Sequence, residues 1–252
     1  MHNTLLKGIV ILEALAGEAR EFSLAELAEL TGLGKSQACR LLKTLVEQGY
    51  VVQNAGTRSY RIGLRTLELS ASILERMEVR RAGLAYLHDL SDRTRSPSYL
   101  GVGHLGKVLI VETAYPAGVY SASSPGFGST LPLHDSAMGR AMLAEMSVEE
   151  RLRHVPGSAD EGLAAAIEEA RRTGVAVIVR ERGDGSSVVG VAAVVRNCRG
   201  AVIAALGAST DKEDWDQRDQ EAYKRAVVKA AAGLSFAMGH AAGRLTLEGF
   251  SV

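Results

Sequence analysis

TGLGKSQACRLLKTL, Thr31 to Leu45, admits two incompatible readings. Its Gly-Leu-Gly-Lys-Ser core resembles the end of a phosphate-binding loop, in which backbone N–H groups close on a nucleotide phosphate and the lysine adds charge. The same letters suit the turn and second helix of a helix-turn-helix, with Lys35, Ser36 and Gln37 facing DNA. Spacing separates the two. A phosphate loop places a glycine five residues ahead of its Gly-Lys-Ser, and that position here is Glu29, whose carboxylate repels phosphate. The segment before it, SLAELAEL, has helical spacing of its apolar residues rather than the continuous β-branched run of a buried strand.

The flanking residues extend the helix-turn-helix reading. Leu5, Ile9, Leu12 and Ala16 fall on one face of a helix that ends at Gly17, and this face is expected to turn inward. Ser23 and Glu26 form a capping box, which predicts a second helix burying Leu24, Leu27 and Ala28. Gly32 permits the tight turn, since it takes the positive φ that other residues resist. A third helix over residues 35–48 turns Ala38, Leu41, Leu42 and Leu45 inward and stops at Gly49. Opposite the leucines, Ser36, Arg40, Lys43 and Glu47 recur at helical spacing, with Lys35 and Gln37 at the N-terminal end.

Two β-rich stretches, 50–53 and 59–62, flank the turn formers of residues 54–58, which predicts a hairpin wing carrying Arg58 and Arg61. Charge supports contact with phosphate. Residues 1–32 carry two basic and five acidic side chains, whereas residues 33–65 carry six basic ones against Glu47 alone. A net charge of zero over the chain therefore hides a basic segment. Gln37 can pair with adenine through its amide donor and acceptor, and Arg40 can read guanine or bind phosphate. Lys35, Lys43, Arg58 and Arg61 are expected on phosphates, where they supply affinity without sequence information.

Residues 64–82 read as one linker helix with two apolar stripes. Leu64, Leu67, Ala71 and Leu74 form the first; Leu69, Ile73 and Met77 form the second. One stripe is expected to close its own domain and the other to meet a partner chain, which favours a dimer. From Gly83 the pattern becomes mixed, with strands expected at 99–103, 108–112, 119–123, 175–180, 188–195 and 201–207. The last two flank Asn-Cys-Arg-Gly and should pair as an antiparallel hairpin. Helices at 136–146, 148–153, 163–172 and 215–241 would cover the sheet, leaving room for a pocket. Pro132 should end a strand, and Asp135 or Ser136 should cap the helix carrying Ala137, Met138 and Met142. The expected organisation is thus α+β: a winged helix-turn-helix over 1–63, a linker helix over 64–82 and a mostly antiparallel domain over 83–252.

Over 252 residues, 46% apolar and 23% charged side chains fit a folded protein. No apolar run reaches the roughly 20 residues of a membrane span, and no leader pattern opens the chain, so it is expected in the cytoplasm and without a membrane partner. Cys39 and Cys198 are too few for a disulfide framework, and neither they nor the six scattered histidines show metal-ligand spacing, so no metal or other cofactor is expected.

Three segments, GLGKSQACRLLKTLVEQGYV, LPLHDSAMGRAMLAEM, and GVAVIVRE with VVGVAAVVRNCRGAVIAALGAS, resemble in order the IclR family of bacterial transcriptional regulators, essentially over the whole chain. The resemblance implies a GAF-like effector-binding domain, dimers or tetramers on operator DNA, and an effector drawn from small organic or aromatic acids, frequently tied to catabolic genes. It places the effector pocket at Ala137 and Met138, Arg180 and Glu181, Gly190, Gly207 and Ser209. Two departures stand out. Arg180 and Gly190 occupy positions where members tend to have an acidic residue and a small cysteine, and Val194 replaces a common proline. Arginine makes bidentate contacts with carboxylates, so Arg180 is read either as the holder of an anionic effector or as a strand-end residue paired with Glu181 or Asp184.

The resulting expectation is a ligand-responsive, sequence-specific regulator without catalytic residues, repression being preferred to activation. Two alternatives remain. A redox-sensing regulator would work through Cys39, and an enzyme would use Ser136 with His134 and Asp135, although no Gly-x-Ser-x-Gly turn is present.

Overall fold

The computed structural model describes residues 4–118, 124–155 and 161–241. The chain forms two compact units, Met1–Met77 and Glu78–Val252, which meet inside the segment read from sequence as a single helix.

The first unit opens with α1 (Thr4–Ala16), α2 (Leu24–Thr31) and α3 (Lys35–Glu47). In α1 the inward residues are Ile11 and Leu15, while Leu5 and Ile9 of the expected stripe are exposed. The helix is apolar nearly all round, so periodicity alone could not choose its buried face. Helix α2 follows the sequence reading: Ser23 Oγ accepts from Glu26 N at 3.2 Å, Glu26 answers at Ser23 N at 2.7 Å, and Leu27 and Ala28 are buried. Gly32 closes the helix at φ 66°, and α3 then buries Ala38 and Leu42 beside half-buried Leu41 and Leu45.

Strands β1 (Val51–Gln53) and β2 (Tyr60–Ile62) form the antiparallel wing, with Val52 opposite Arg61. Phe22 adds a bridge that the sequence did not suggest, exchanging backbone hydrogen bonds with Tyr60. The turn is anchored by Glu21, whose carboxylate accepts from Asn54, Thr57 and Ser59. The Ser59 hydroxyl, then Asn54, holds the Glu21 carboxyl below the ordinary range. Ile11, Leu15, Phe22, Leu27, Leu42, Val51 and Tyr60 make one core, so wing and helices bury a common surface.

The expected helix over 64–82 is two helices, α4 (Arg65–Arg76) and α5 (Glu78–Thr94), broken at Met77, whose ψ of 84° lies outside the helical region. No residue of α4 is buried, so neither of its apolar stripes closes the unit as expected. Helix α5 belongs to the second unit and runs past Gly83 to Thr94, where the sequence reading had placed a change of pattern. Gly83 is the point of close approach: a Cβ there would lie 2.8 Å from Leu100 Cδ2. Arg80 pins the start of α5 by donating to Val111 O at 3.1 Å and pairing with Glu112 at 2.6 Å.

The second unit continues with β3 (Ser98–His104), β4 (Lys107–Ala114), β5 (Thr130–Pro132), α6 (Ala137–Glu145), α7 (Val148–His154) and α8 (Glu161–Thr173). It closes with β6 (Ala176–Glu181), β7 (Ser187–Arg196), β8 (Val202–Asp211), α9 (Lys212–Gln217) and α10 (Gln220–Ala237). The sheet order is β5-β4-β3-β8-β7-β6, and its neighbours pair antiparallel, including the expected β7–β8 hairpin. The short β5 ends at Pro132, as expected, and the strand expected at 119–123 lies outside the described residues. The helix expected over 215–241 is interrupted after Gln217, because Asp219 starts α10 by accepting from Ala222 N at 2.9 Å. Helices α6 and α8 pack on one face of the sheet, and α5 and α10 on the other. Among the described residues no helix is long and apolar enough to cross a membrane.

The capping box has a pH signature. The Ser23 backbone amide, then its hydroxyl and the Arg20 guanidinium, hold the Glu26 carboxyl down to about 2. A depressed carboxyl contributes stability above its ordinary value of 4.5 and loses that contribution as pH falls toward about 2. The helical NMR signal of α2 is expected to weaken across this window in the wild type and to stay flat in Glu26→Gln; identical profiles would remove the box as the cause.

Candidate nucleic-acid interface and ligand cavity

In the first unit the leucines of α3 face the core, which turns the opposite side of the helix to solvent. Lys35, Ser36, Arg40 and Lys43 are exposed there, and Gln37 is half-buried. Gly34 caps α3 without a side-chain hydrogen bond. Lys43 is only loosely paired, at 3.9 Å from Glu47, and both side chains are largely exposed. Such a pair is worth little and leaves the lysine available to another anion. Gln37 differs from its neighbours, because its Oε1 accepts from Lys7 Nζ of α1 at 3.1 Å. Sequence reading missed Lys7; thirty residues of chain separate the pair, and no local pattern joins them.

The wing contributes Arg58 and Arg61, both exposed. Arg58 adopts φ 60°, and the turn that carries it is closed by its N–H on Asn54 O at 2.9 Å. Cys39 is also exposed on α3, as a free thiol.

In the second unit, a cavity of about 470 Å³ lies between α6 and the sheet. Strand register explains why space remains. Tyr99, Gly207, Ala192 and Ala176 form one cross-strand row, and Ser209, Gly190 and Ile178 form the next. Rows dominated by glycine and alanine cannot fill the gap beneath α6. Ala137, Met138, Arg180 and Glu181 border the cavity, as do Gly190, Gly207 and Ser209, so the fold brings together every residue named from the resemblance.

Tyr99 and Arg182 also line the cavity and were not anticipated. Tyr99 shares a hydrogen bond with Ser209 Oγ at 3.0 Å, and burial pushes its phenol above the ordinary range against the opposing hydrogen bonds of Ser124 and Ser209. Only the β3–β8 register could have revealed this pair, whose members stand 110 residues apart. At the rim, Arg180 Nε lies 3.2 Å from Asp135, and Arg182 pairs with Asp211 at 2.7 Å. The salt-bridge partner of Arg180 is therefore neither Glu181 nor Asp184.

Ser136 serves structure rather than nucleophilic attack. Its Oγ donates to Pro132 O at 2.7 Å and accepts from Gly139 N at 3.1 Å, while His134 offers its backbone carbonyl to Arg140. Among the described residues no group of histidine, cysteine, aspartate and glutamate side chains is arranged to hold a metal ion.

Two family models match the chain: the IclR helix-turn-helix domain over residues 4–55 and the bacterial transcriptional regulator IclR C-terminal domain over residues 71–236. The chain is 29% identical to the HTH-type transcriptional regulator XynR of Escherichia coli, covering 94% of this chain and 97% of XynR. It is 30% identical to the glycerol operon regulatory protein of Streptomyces griseus over 81% of this chain and 83% of that one. An IclR homologue from Microbacterium hydrocarbonoxydans, solved in complex with 4-hydroxybenzoate, has the same fold, with a TM-score of 0.78 at 21% identity over 94% of this chain and 98% of that one.

The Tyr99–Ser209 contact can be read directly. Since the Ser209 hydroxyl lowers the phenol's pKa, the phase of a tyrosine absorbance titration that Tyr99→Phe removes should move upward in Ser209→Ala. An unchanged titration in Ser209→Ala would show that the hydroxyls do not interact in solution.

Proposed function

Because the chain belongs to the IclR family of bacterial transcriptional regulators, which join a DNA-binding helix-turn-helix to an effector-binding C-terminal domain, we propose that it is a ligand-responsive, sequence-specific regulator acting in the cytoplasm. The observation that carries this reading is the exposed basic face of α3, with Arg58 and Arg61 on the adjoining wing. Lys35, Ser36, Lys43, Arg58 and Arg61 would hold phosphates, and Gln37 and Arg40 would reach base edges. Repression is the preferred sense, since operator occupancy alone can block transcription.

A dimer or tetramer is supported by α4, on which Leu67, Leu69 and Ile73 are all more than half exposed. Covering these exposed apolar side chains with a second copy would place two recognition helices on two half-sites. Effector binding would shift the arrangement of those helices to the extent that it favours one arrangement over the other.

The cavity suits a small carboxylate, with catabolic or other metabolic genes as the regulated targets. Arg180 and Asp135 are each about two-fifths exposed, and an ion pair of that kind is worth at most about 1 kcal/mol. An incoming carboxylate can replace Asp135 on the guanidinium at little cost, while the positive end of α6 faces the same space. The complex of the Microbacterium homologue with 4-hydroxybenzoate supports an acid of this size.

A thermal-shift screen of small carboxylates, sugar acids and aromatic acids on wild type and Arg180→Ala checks the effector class. A carboxylate should raise the melting temperature of the wild type alone and change its affinity for selected operator DNA. Stabilisation of both proteins by neutral compounds, with no effect of carboxylates, would discard the anionic effector and return Arg180 to a structural pair with Asp135.

A further inference from the structure

The hydrogen bond from Lys7 Nζ to Gln37 Oε1, 3.1 Å long and half-buried, joins α1 to the third residue of α3. Its chemistry is one-sided. An ammonium has three donors and no acceptor, so it can engage only the oxygen of the amide. The contact therefore sets which way the amide points: Oε1 lies toward α1, and the Nε2 donors are left for whatever approaches the helix. An unrestrained glutamine can present donor and acceptor together, the pattern that matches adenine N6 and N7. Guanine instead offers two acceptors, N7 and O6, along the same groove edge.

We infer that Lys7 is a specificity-determining positioning residue, which holds Gln37 as a donor and directs it to guanine rather than adenine. This rests on the DNA-binding reading of the first unit and adds to it the base that Gln37 selects. Lys7 acts through Gln37 and need touch neither base nor phosphate.

In vitro selection of duplex DNA from a random pool by the full-length chain, followed by affinity measurements on single-base variants of the selected site, tests this. Wild type should prefer guanine at one position, Gln37→Ala should lose the preference there, and Lys7→Met should shift it toward adenine by about tenfold. Lys7→Arg, which keeps a donor and no acceptor, should retain guanine. In a double-mutant comparison, Lys7→Met should have no further effect on base preference once Gln37 is alanine.

The proposal is overturned if Lys7→Met leaves base preference unchanged. It is also overturned if Lys7→Met weakens every sequence equally and lowers the salt dependence by about one phosphate contact, the mark of a lysine on the backbone. A melting temperature measured in parallel separates either result from misfolding. If the wild-type chain enriches no sequence, the DNA-binding reading itself fails, and the role of Lys7 falls with it.

Discussion

The second unit depends on the alternation of side chains along β7 and β8. A strand sends successive residues to opposite faces, so each strand serves two layers with different demands. On β7, Val189, Val191, Ala193 and Val195 are buried on one parity, and Gly190, Ala192 and Val194 fall on the other. On β8, Gly207 and Ser209 share the row positions of Ala192 and Gly190. The face bearing small residues leaves room beneath α6, and a shift of one residue in register would exchange the two faces and fill the cavity. The size of the ligand space is thus a consequence of strand register more than of any single lining residue.

The first unit solves a different problem, which is to expose cations on a small body that still folds. Its apolar core is shared by α1, α2, α3 and the wing, each contributing one or two fully buried side chains worth about 1.5–3 kcal/mol apiece. Acidic residues are used locally: Glu26 closes the cap of α2, and Glu21 gathers the turn of the wing. Both carboxylates are engaged on hydroxyls and amides, and the charge of Arg61 adds to the hold on Glu21. The net charge of the whole chain is a poor guide to this arrangement, since residues 33–65 carry six basic side chains against Glu47 alone.

Legibility varied with the range of the interactions involved. The cap at Ser23, the turn at Gly32 and the exposed residues of α3 were readable, because each depends on residues within one or two helical turns. The buried face of α1 was misjudged, because Leu5, Ile9 and Leu12 compete with Ile11 and Leu15 on a helix with apolar residues on several sides. The break at Met77 was also missed. Nothing in the local letters separates α4 from α5, and what distinguishes them is the packing of α5 onto the sheet through Val79, Leu87 and Leu90.

For the cavity, the resemblance named seven lining residues but left out Tyr99, whose hydroxyl meets Ser209, and it left open the partner of Arg180, which proved to be Asp135. The sequence by itself determined the local helical and β patterns, the caps and turns, and the basic character of α3 and its wing. These follow from short-range hydrogen bonding and from the period of apolar residues. Tertiary structure decided which side of α1 is buried, where the long helix divides, which acid neutralises Arg180 and which lysine orients Gln37. Each of those outcomes turns on residues far apart in the chain, whose meeting depends on register and packing rather than on the order of the letters.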